Sequence, residues 1–365
     1  MRLAFVTPWD PDDDRAWSGV ITPMADALAE RCEVVPISTR DVPDSFLDRG
    51  AARLLHGWRG RKYLVGHAVA TGVKRARYLR RNLTAVKPDV VLAVAASQDI
   101  AFLGGNLPLI QVSDATMTSI SGYYEQFTHL LALSRWQAGV ISRHSARRAD
   151  HTLAATHWAR DSLIRDDGVR PGAITVAPFG PAVTPQGDEP ARADGGPLKM
   201  LAVMSDWHRK GGTRVLALFE ELIRRGVDVD LTIVGDVRGN PPAAVKTPGR
   251  VHPWELRNLY ASSHVLVELA RSNAAGVTLT DAAAFGLPVI ATDTGGVSTI
   301  VEDGVTGILV PPQEMEVVSA AADAVERHRE NFELMGKAAL QRATTLLSWE
   351  VWAEKALVAA CHLVT

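Results

Sequence analysis

The chain has 365 residues, 47% hydrophobic and 22% charged, with a formal net charge of −2. That composition supports a large core and two domains of roughly 150 residues each, and it excludes disorder, collagen or coiled coil as the main architecture. Two cysteines, Cys32 and Cys361, exclude a disulfide framework and a cysteine-based zinc site.

The first predicted strand is Arg2–Thr7, followed by the loop PWDPDDDRAWSG and a helix from about Val20 to Arg31. Strands follow at Glu33–Ile37, in VVLAVAA after Pro88-Asp89, and at Leu107–Val112, Thr152–Ala155 and Ile174–Ala177. Unbroken apolar strands between helical stretches indicate a parallel sheet covered on both faces. Pro181–Pro197 is rich in proline and glycine, lacks an apolar period and reads as an interdomain linker.

The pattern then restarts. Strands are predicted at Leu198–Met204, Leu231–Val234, His264–Glu268 and Pro288–Thr292. Helices are predicted at Gly212–Arg225, Glu255–Ser262, Val277–Phe285, Met315 to about Arg329, Asn331–Leu346 and from Trp349 onward. Two α/β halves, 1–180 and 198–345, with a last helix over 346–365, place a ligand site where the carboxyl ends of the two sheets face each other.

No stretch approaches the roughly 18–20 apolar residues of a membrane span, and the apolar run at the start is too short for a signal-peptide core. A cytoplasmic location is expected. Arg49–Pro88 carries eleven Lys/Arg and no acid. Its Leu54, Leu55, Trp58, Tyr63, Leu64 and Val65 are interleaved with the cations. Peripheral docking at the inner membrane face, recognition of a phosphorylated or carboxylated acceptor, and a solvated helical surface are the three readings. No nucleic-acid motif appears, so no nucleic-acid partner is expected. The acidic loop Pro11–Arg15 reads as solvated, the histidines His56, His67 and His129 as structural, and no metal site is expected.

Two segments carry chemistry. SDWHRKGG (Ser205–Gly212) ends a strand and opens a helix. Arg209, Lys210, the glycines and the helix N-terminus suit a phosphate, whereas the alternative is a solvated basic turn. In the second, ARSNAAGVTLTDAAAFGLPVIATDTGG, Gly276 precedes the helix at Val277, and Asp281 lies one turn in. Read alone, Asp281 would be a solvated surface acid. In the first half Asp114, after QVS, either orients a substrate hydroxyl or, with Ser113, caps a helix.

Taken together, these motifs resemble the GT-B glycosyltransferases of retaining family 4, over nearly the whole chain. WSG (Trp17–Gly19) is similar to the glycine-containing donor loop, VAPFGPAV to the domain exit and WHRKGG to the phosphate-binding turn. Asn273 to Asp281 has the E-x7-E spacing, DTGGVSTIVEDGVTGILVPP is close to the family's run there, and LSWEVWAEK matches its C-terminal helix. The resemblance implies two Rossmann-like domains with parallel sheets facing across a deep cleft, and a C-terminal helix crossing back to the N-terminal one. It implies metal-independent transfer of a sugar from a nucleotide-diphosphate donor, a co-substrate rather than a cofactor, to an acceptor hydroxyl, which the basic run 49–88 would suit if the acceptor is anionic or lipid-linked. Carried over, Lys210 and Arg209 would grip the donor phosphates, and Asp281 the ribose hydroxyls. Asn273 would meet the transferred sugar. Gly276 and Val277 would present backbone N–H groups, Gly19 would admit the pyrophosphate, and Asp114 would orient the acceptor. Both glutamates of the motif are replaced here, by Asn273 and Asp281, and Thr299 stands where another is usual. A non-catalytic sugar-nucleotide-binding protein or a pseudo-glycosyltransferase is therefore the competing expectation.

Overall fold

Unbroken apolar runs become the central strands of two parallel sheets. The computed structural model of the protein describes residues 1–11, 13, 16–55, 60–193 and 195–364. Asp12, Asp14 and Arg15 of the acidic loop, and His56, Trp58 and Arg59 of the basic stretch, lie outside the described residues, as does Asp194. The chain divides into two units, Met1–Ala177 with Trp349–Thr365, and Pro178–Ser348.

In the first unit the elements run β1 (Arg2–Thr7), α1 (Ile21–Ala29), β2 (Glu33–Ser38), α2 (Phe46–Leu55), α3 (Val69–Val86), β3 (Val90–Val94) and α4 (Ser97–Ile100). They continue β4 (Leu109–Ser113), α5 (Met117–Ile120), α6 (Ala132–Arg148), β5 (His151–Ala154), α7 (His157–Ser162) and β6 (Ile174–Val176). The sheet order is β2-β1-β3-β4-β5-β6, all parallel. Every residue of β3 is buried, as a strand covered on both faces requires. Leu79 and Leu83 of α3 and Ile100 of α4 pack on Ala4, Val6, Val91 and Leu109 from the strands.

The second unit runs β7 (Leu198–Met204), α8 (Gly212–Arg224), β8 (Val229–Gly235), β9 (Lys246–Gly249), α9 (Pro253–Ser262), β10 (Val265–Glu268) and α10 (Val277–Ala284). It continues β11 (Val289–Thr292), α11 (Val297–Ile300), β12 (Gly307–Val310), α12 (Val317–His328) and α13 (Phe332–Thr345). Its order, β12-β11-β10-β7-β8-β9, reverses direction between β7 and β10. In a doubly wound sheet ligands bind outside the carboxyl ends of the strands at such a reversal. The loops that follow these two strands, 205–211 and 269–276, hold four of the predicted site residues, Arg209, Lys210, Asn273 and Gly276.

The final helix α14 (Trp349–Val364) belongs to the first unit. Trp352 is fully buried. The Arg31 guanidinium beyond α1 donates to the Glu350 carbonyl at 2.8 Å, and Lys355 Nζ to the Val176 carbonyl at 3.1 Å. Among the described residues no helix is long and apolar enough to cross a membrane.

Two strands escape the sequence pattern, β9 and β12. Both are edge strands. β9 is largely exposed and reads KTPG, so burial imposes no apolar period, and an edge tolerates its proline. The segment 181–197 also differs from a free linker. The Ala182 and Val183 N–H groups donate to Asp281 Oδ1 at 2.7 and 3.0 Å, and Arg192 Nη1 donates to the Gly286 carbonyl at 3.2 Å. Lack of periodicity there marks irregular backbone that tertiary bonds still hold.

Candidate active site

The turn between β7 and α8 is built by Asp206. Its Oδ1 accepts from the Arg209 N–H and its carbonyl from the Lys210 N–H, both at 2.9 Å. Gly211 follows with φ +74°, and a Cβ there would lie 1.9 Å from the Leu269 carbonyl oxygen. A Cβ on Gly212 would meet the Trp207 ring at 2.2 Å. The two glycines of SDWHRKGG therefore serve close packing of this turn on the end of β10 and on Trp207, whereas the sequence reading gave their space to a phosphate. The Arg271 N–H donates to the Arg209 carbonyl at 2.8 Å and ties the two loops together.

This packing carries Lys210 inward. The residue is only 5% exposed, and its Nζ donates to Glu268 Oε2 at 2.6 Å and to Thr278 Oγ1 at 2.9 Å. The Thr278 hydroxyl donates to Glu268 Oε2 as well, and Asn273 Nδ2 donates to Glu268 Oε1. Asn273 Oδ1 accepts from the Gly276 N–H at 2.9 Å. Gly276 itself takes φ +69° at the N-terminus of α10, a left-handed position that favours glycine. Val277, half-buried, is the first residue of that helix. Arg209 is half-buried beside them, with Nη2 bonded to Ser205 Oγ at 3.0 Å and Nη1 to the Ser272 carbonyl at 3.4 Å.

Charge follows geometry. Burial alone would raise the Glu268 carboxyl, but the Lys210 charge and the Lys210 and Thr278 hydrogen bonds hold it below the usual carboxylate range. Burial pulls the Lys210 ammonium below its ordinary value, and Arg209 adds to the pull. Glu268 opposes both. Asp281 is equally buried but has no ammonium within hydrogen-bond reach. Burial pushes its carboxyl up to about 7 against the Ala182, Val183 and Tyr260 hydrogen bonds. The solvated-acid reading of Asp281 does not hold, since it is 4% exposed and the Tyr260 hydroxyl reaches its Oδ2 at 3.4 Å.

Lys210, Arg209, Asn273, Gly276, Val277 and Asp281 thus gather in one unit, and Gly19 and Asp114 belong to the other. Gly19, φ +81°, ends a run of three left-handed residues with Trp17 (φ +47°) and Ser18 (φ +66°). Trp9 stacks on Trp17 with ring centroids 5.8 Å apart. Asp114 directly follows β4, half-buried, and burial lifts its carboxyl to about 6. Neither Asp114 nor Ser113 caps α5. Thr116 does, in a reciprocal capping box with Ser119.

Sequence reasoning missed Glu268, Thr278 and Tyr260. The available signal was an acid closing the apolar strand sequence VLVE, where an unpaired charge is costly. Among the described residues no group of three or more His, Cys, Asp or Glu is placed to hold a metal ion.

Residues 187–342 match the family of glycosyl transferases group 1, and residues 20–180 match Glycosyltransferase Family 4. The structure resembles sucrose-phosphate synthase from Thermosynechococcus elongatus, with a TM-score of 0.74 at 18% identity over 99% of this chain and 98% of that one. It also resembles HepE of Anabaena in complex with UDP-glucose, with a TM-score of 0.67 at 14% identity over 99% and 100% of the two chains. The chain belongs to the group 1 glycosyltransferases and has the GT-B fold. In sequence it is 36% identical over 104 residues to a D-inositol 3-phosphate glycosyltransferase of Kribbella flavida, spanning 28% of this chain and 24% of that protein. It is 24% identical over 304 residues to the glycogen synthase of Mycobacterium tuberculosis, spanning 78% of this chain and 71% of that protein.

Proposed function

We infer that the protein transfers a sugar from a nucleoside-diphosphate donor to an acceptor hydroxyl, with retention at the anomeric carbon and without a metal. The observation that carries this reading is the pairing of Lys210 with the N-terminus of α10 at the sheet reversal of the second unit. As the glycosidic bond to the donor breaks, negative charge grows on the departing diphosphate. Lys210, Arg209 and the N-terminus of α10 at Val277 form a positive set for that charge, while the Gly276 N–H is held by Asn273 Oδ1. The sugar's hydroxyls meet Asn273. A ribose diol reaches Asp281 at Oδ2, in exchange for the long Tyr260 bond. Retention follows if the acceptor attacks from the face the diphosphate leaves, with a phosphate oxygen taking the acceptor's proton. In the first unit Asp114 orients the acceptor hydroxyl.

The acceptor is anionic or lipid-linked on this reading. On α2, Phe46, Leu47 and Leu54 are 74%, 59% and 84% exposed, and Arg49 and Arg53 on the same helix are exposed too. That arrangement supports contact of 49–88 with an anionic membrane surface, which sedimentation with phosphatidylglycerol vesicles measures.

The test of the donor reading is calorimetric titration of UDP, GDP, ADP and dTDP into wild type and Lys210→Ala. UDP comes first because the Anabaena relative is described in complex with UDP-glucose. Selective binding of one nucleotide that weakens in the variant supports the donor site. No binding of any of the four removes it, and binding without donor hydrolysis or transfer leaves a sugar-nucleotide-binding protein.

A further inference from the structure

Glu268 has no role in the chemistry described above, yet it is the hub of the candidate site. Its carboxylate is 4% exposed and closes a strand whose other residues, Val265, Leu266 and Val267, are core. A charge in that position is costly unless paired and hydrogen-bonded. Both oxygens are in use. Oε2 holds Lys210 Nζ and the Thr278 hydroxyl, and Oε1 holds Asn273 Nδ2. Three separate segments, the β7–α8 turn, the loop after β10 and the first turn of α10, therefore meet on one side chain. Asn273 is fixed at both ends, with its amide nitrogen on Glu268 and its oxygen on the Gly276 N–H.

The groups facing Lys210 define what Glu268 does. Arg209 on the same turn repels the ammonium. Asp281 from α10 attracts it from beyond hydrogen-bond range, and Tyr260 of α9 lies behind Asp281. Glu268 from β10 is in direct contact at 2.6 Å. Without that contact Lys210 would be a desolvated ammonium beside a guanidinium, and such a lysine loses its proton.

We propose that Glu268 is a positioning residue that keeps Lys210 charged and aimed at the donor diphosphate, and locks Asn273 and α10 into the same arrangement. This rests on the donor reading given above. The sign is fixed by the chemistry. Phosphate binding needs the ammonium, so loss of the Glu268 charge moves the alkaline failure of binding to lower pH. Asp281 titrates near 7, on the acid side of that limb.

The experiment is calorimetry of the same four nucleoside diphosphates from pH 6 to 10 on wild type, Glu268→Gln, Glu268→Asp, Thr278→Val and Lys210→Ala. In Glu268→Gln the affinity should begin to fall about one pH unit or more below the wild-type limb, then tenfold for each further unit. Glu268→Asp, one methylene short, should move the limb part of the way, and it carries the test by itself if the glutamine variant fails to fold. Thr278→Val keeps the charge and should weaken binding uniformly with the limb in place. Parallel pH profiles for wild type and both Glu268 variants would overturn the proposal, as would a Thr278→Val limb displaced as far as that of Glu268→Gln. If binding is lost in Lys210→Ala while those profiles stay parallel, the donor reading stands and the Glu268 role alone falls. If wild type binds none of the four, both fall.

Discussion

The two units use the same architecture and prepare their loops in opposite ways. In the second, the loops after β7 and β10 are saturated with partners. Lys210, Glu268, Thr278, Asn273 and the Gly276 N–H form one continuous network. In the first, the loop after β1 is held in an unfavourable conformation, with Trp17, Ser18 and Gly19 all left-handed and Trp17 stacked on Trp9. The carboxylates differ in the same way. Burial acts on Asp114, Asp281 and Glu268 alike, but only Glu268 has an ammonium in contact. Asp114 and Asp281 rise to about 6 and about 7, whereas Glu268 stays ionised. At Glu268 the Lys210 contact outweighs the burial that raises the other two. One unit is held by an electrostatic network and the other by backbone strain, with an acid that titrates near 6.

Four measurements test this contrast. The largest effect should come from Lys210→Ala, which removes the central cation of the saturated network. It should lower kcat/KM by about 10²-fold, about 3 kcal/mol of barrier, and unchanged kinetics would end the assignment. Next is a pair of glycines with nearly equal φ, one in each unit. Gly211→Ala, whose Cβ would sit 1.9 Å from a carbonyl oxygen, should cost about 3 kcal/mol of stability, read as a lower urea midpoint at constant m. Gly168→Ala, φ +72° with nothing within 4 Å, should cost only about 1 kcal/mol from backbone strain. Equal costs would show that the turn before α8 is looser than its packing indicates.

Asp281→Asn comes third and is read in stability against pH. The native carboxyl titrates near 7, above the unfolded value of about 3.9. Between those values the native state keeps a proton that the unfolded chain releases, so Asp281 makes stability fall as pH rises through the window. The variant, an isostere of the protonated acid, should remove a slope of at most about 1.4 kcal/mol per pH unit. A wild type with no loss of stability from pH 4 to 7 would contradict the assigned state. The smallest effect is expected at Asp114. If its carboxylate orients the acceptor, transfer should decline as pH falls through about 6. Asp114→Asn should lose that limb and about tenfold in rate, and an unaltered profile would return Asp114 to a structural role.

Much of the fold was legible because parallel strands buried on both faces must be continuously apolar. VVLAV and MLAVM announced themselves for that reason, and glycines marked helix ends. The exposed edge strand β9, KTPG, carried no such signal, and β12 is a short apolar run, GILV, outside the strands the pattern predicts. For the site, the sequence marked the two loops and the cations but not their partner. Glu268 reads as an ordinary strand-end acid until β7 and β10 are placed side by side.

The sequence by itself determined the two α/β halves, the turn that bears Lys210 and Arg209, and the spacing from Asn273 to Asp281. Each follows from local pattern, which needs only neighbouring residues. Only the tertiary structure decided that Lys210 is buried against Glu268, and that Asp281 is spent on the backbone of Ala182 and Val183. The place of the last helix with the first unit is what the resemblance already implied. The partners of Lys210 and Asp281 depend on which distant segments share a place, and that is set by the order of strands in each sheet rather than by any residue's own neighbours.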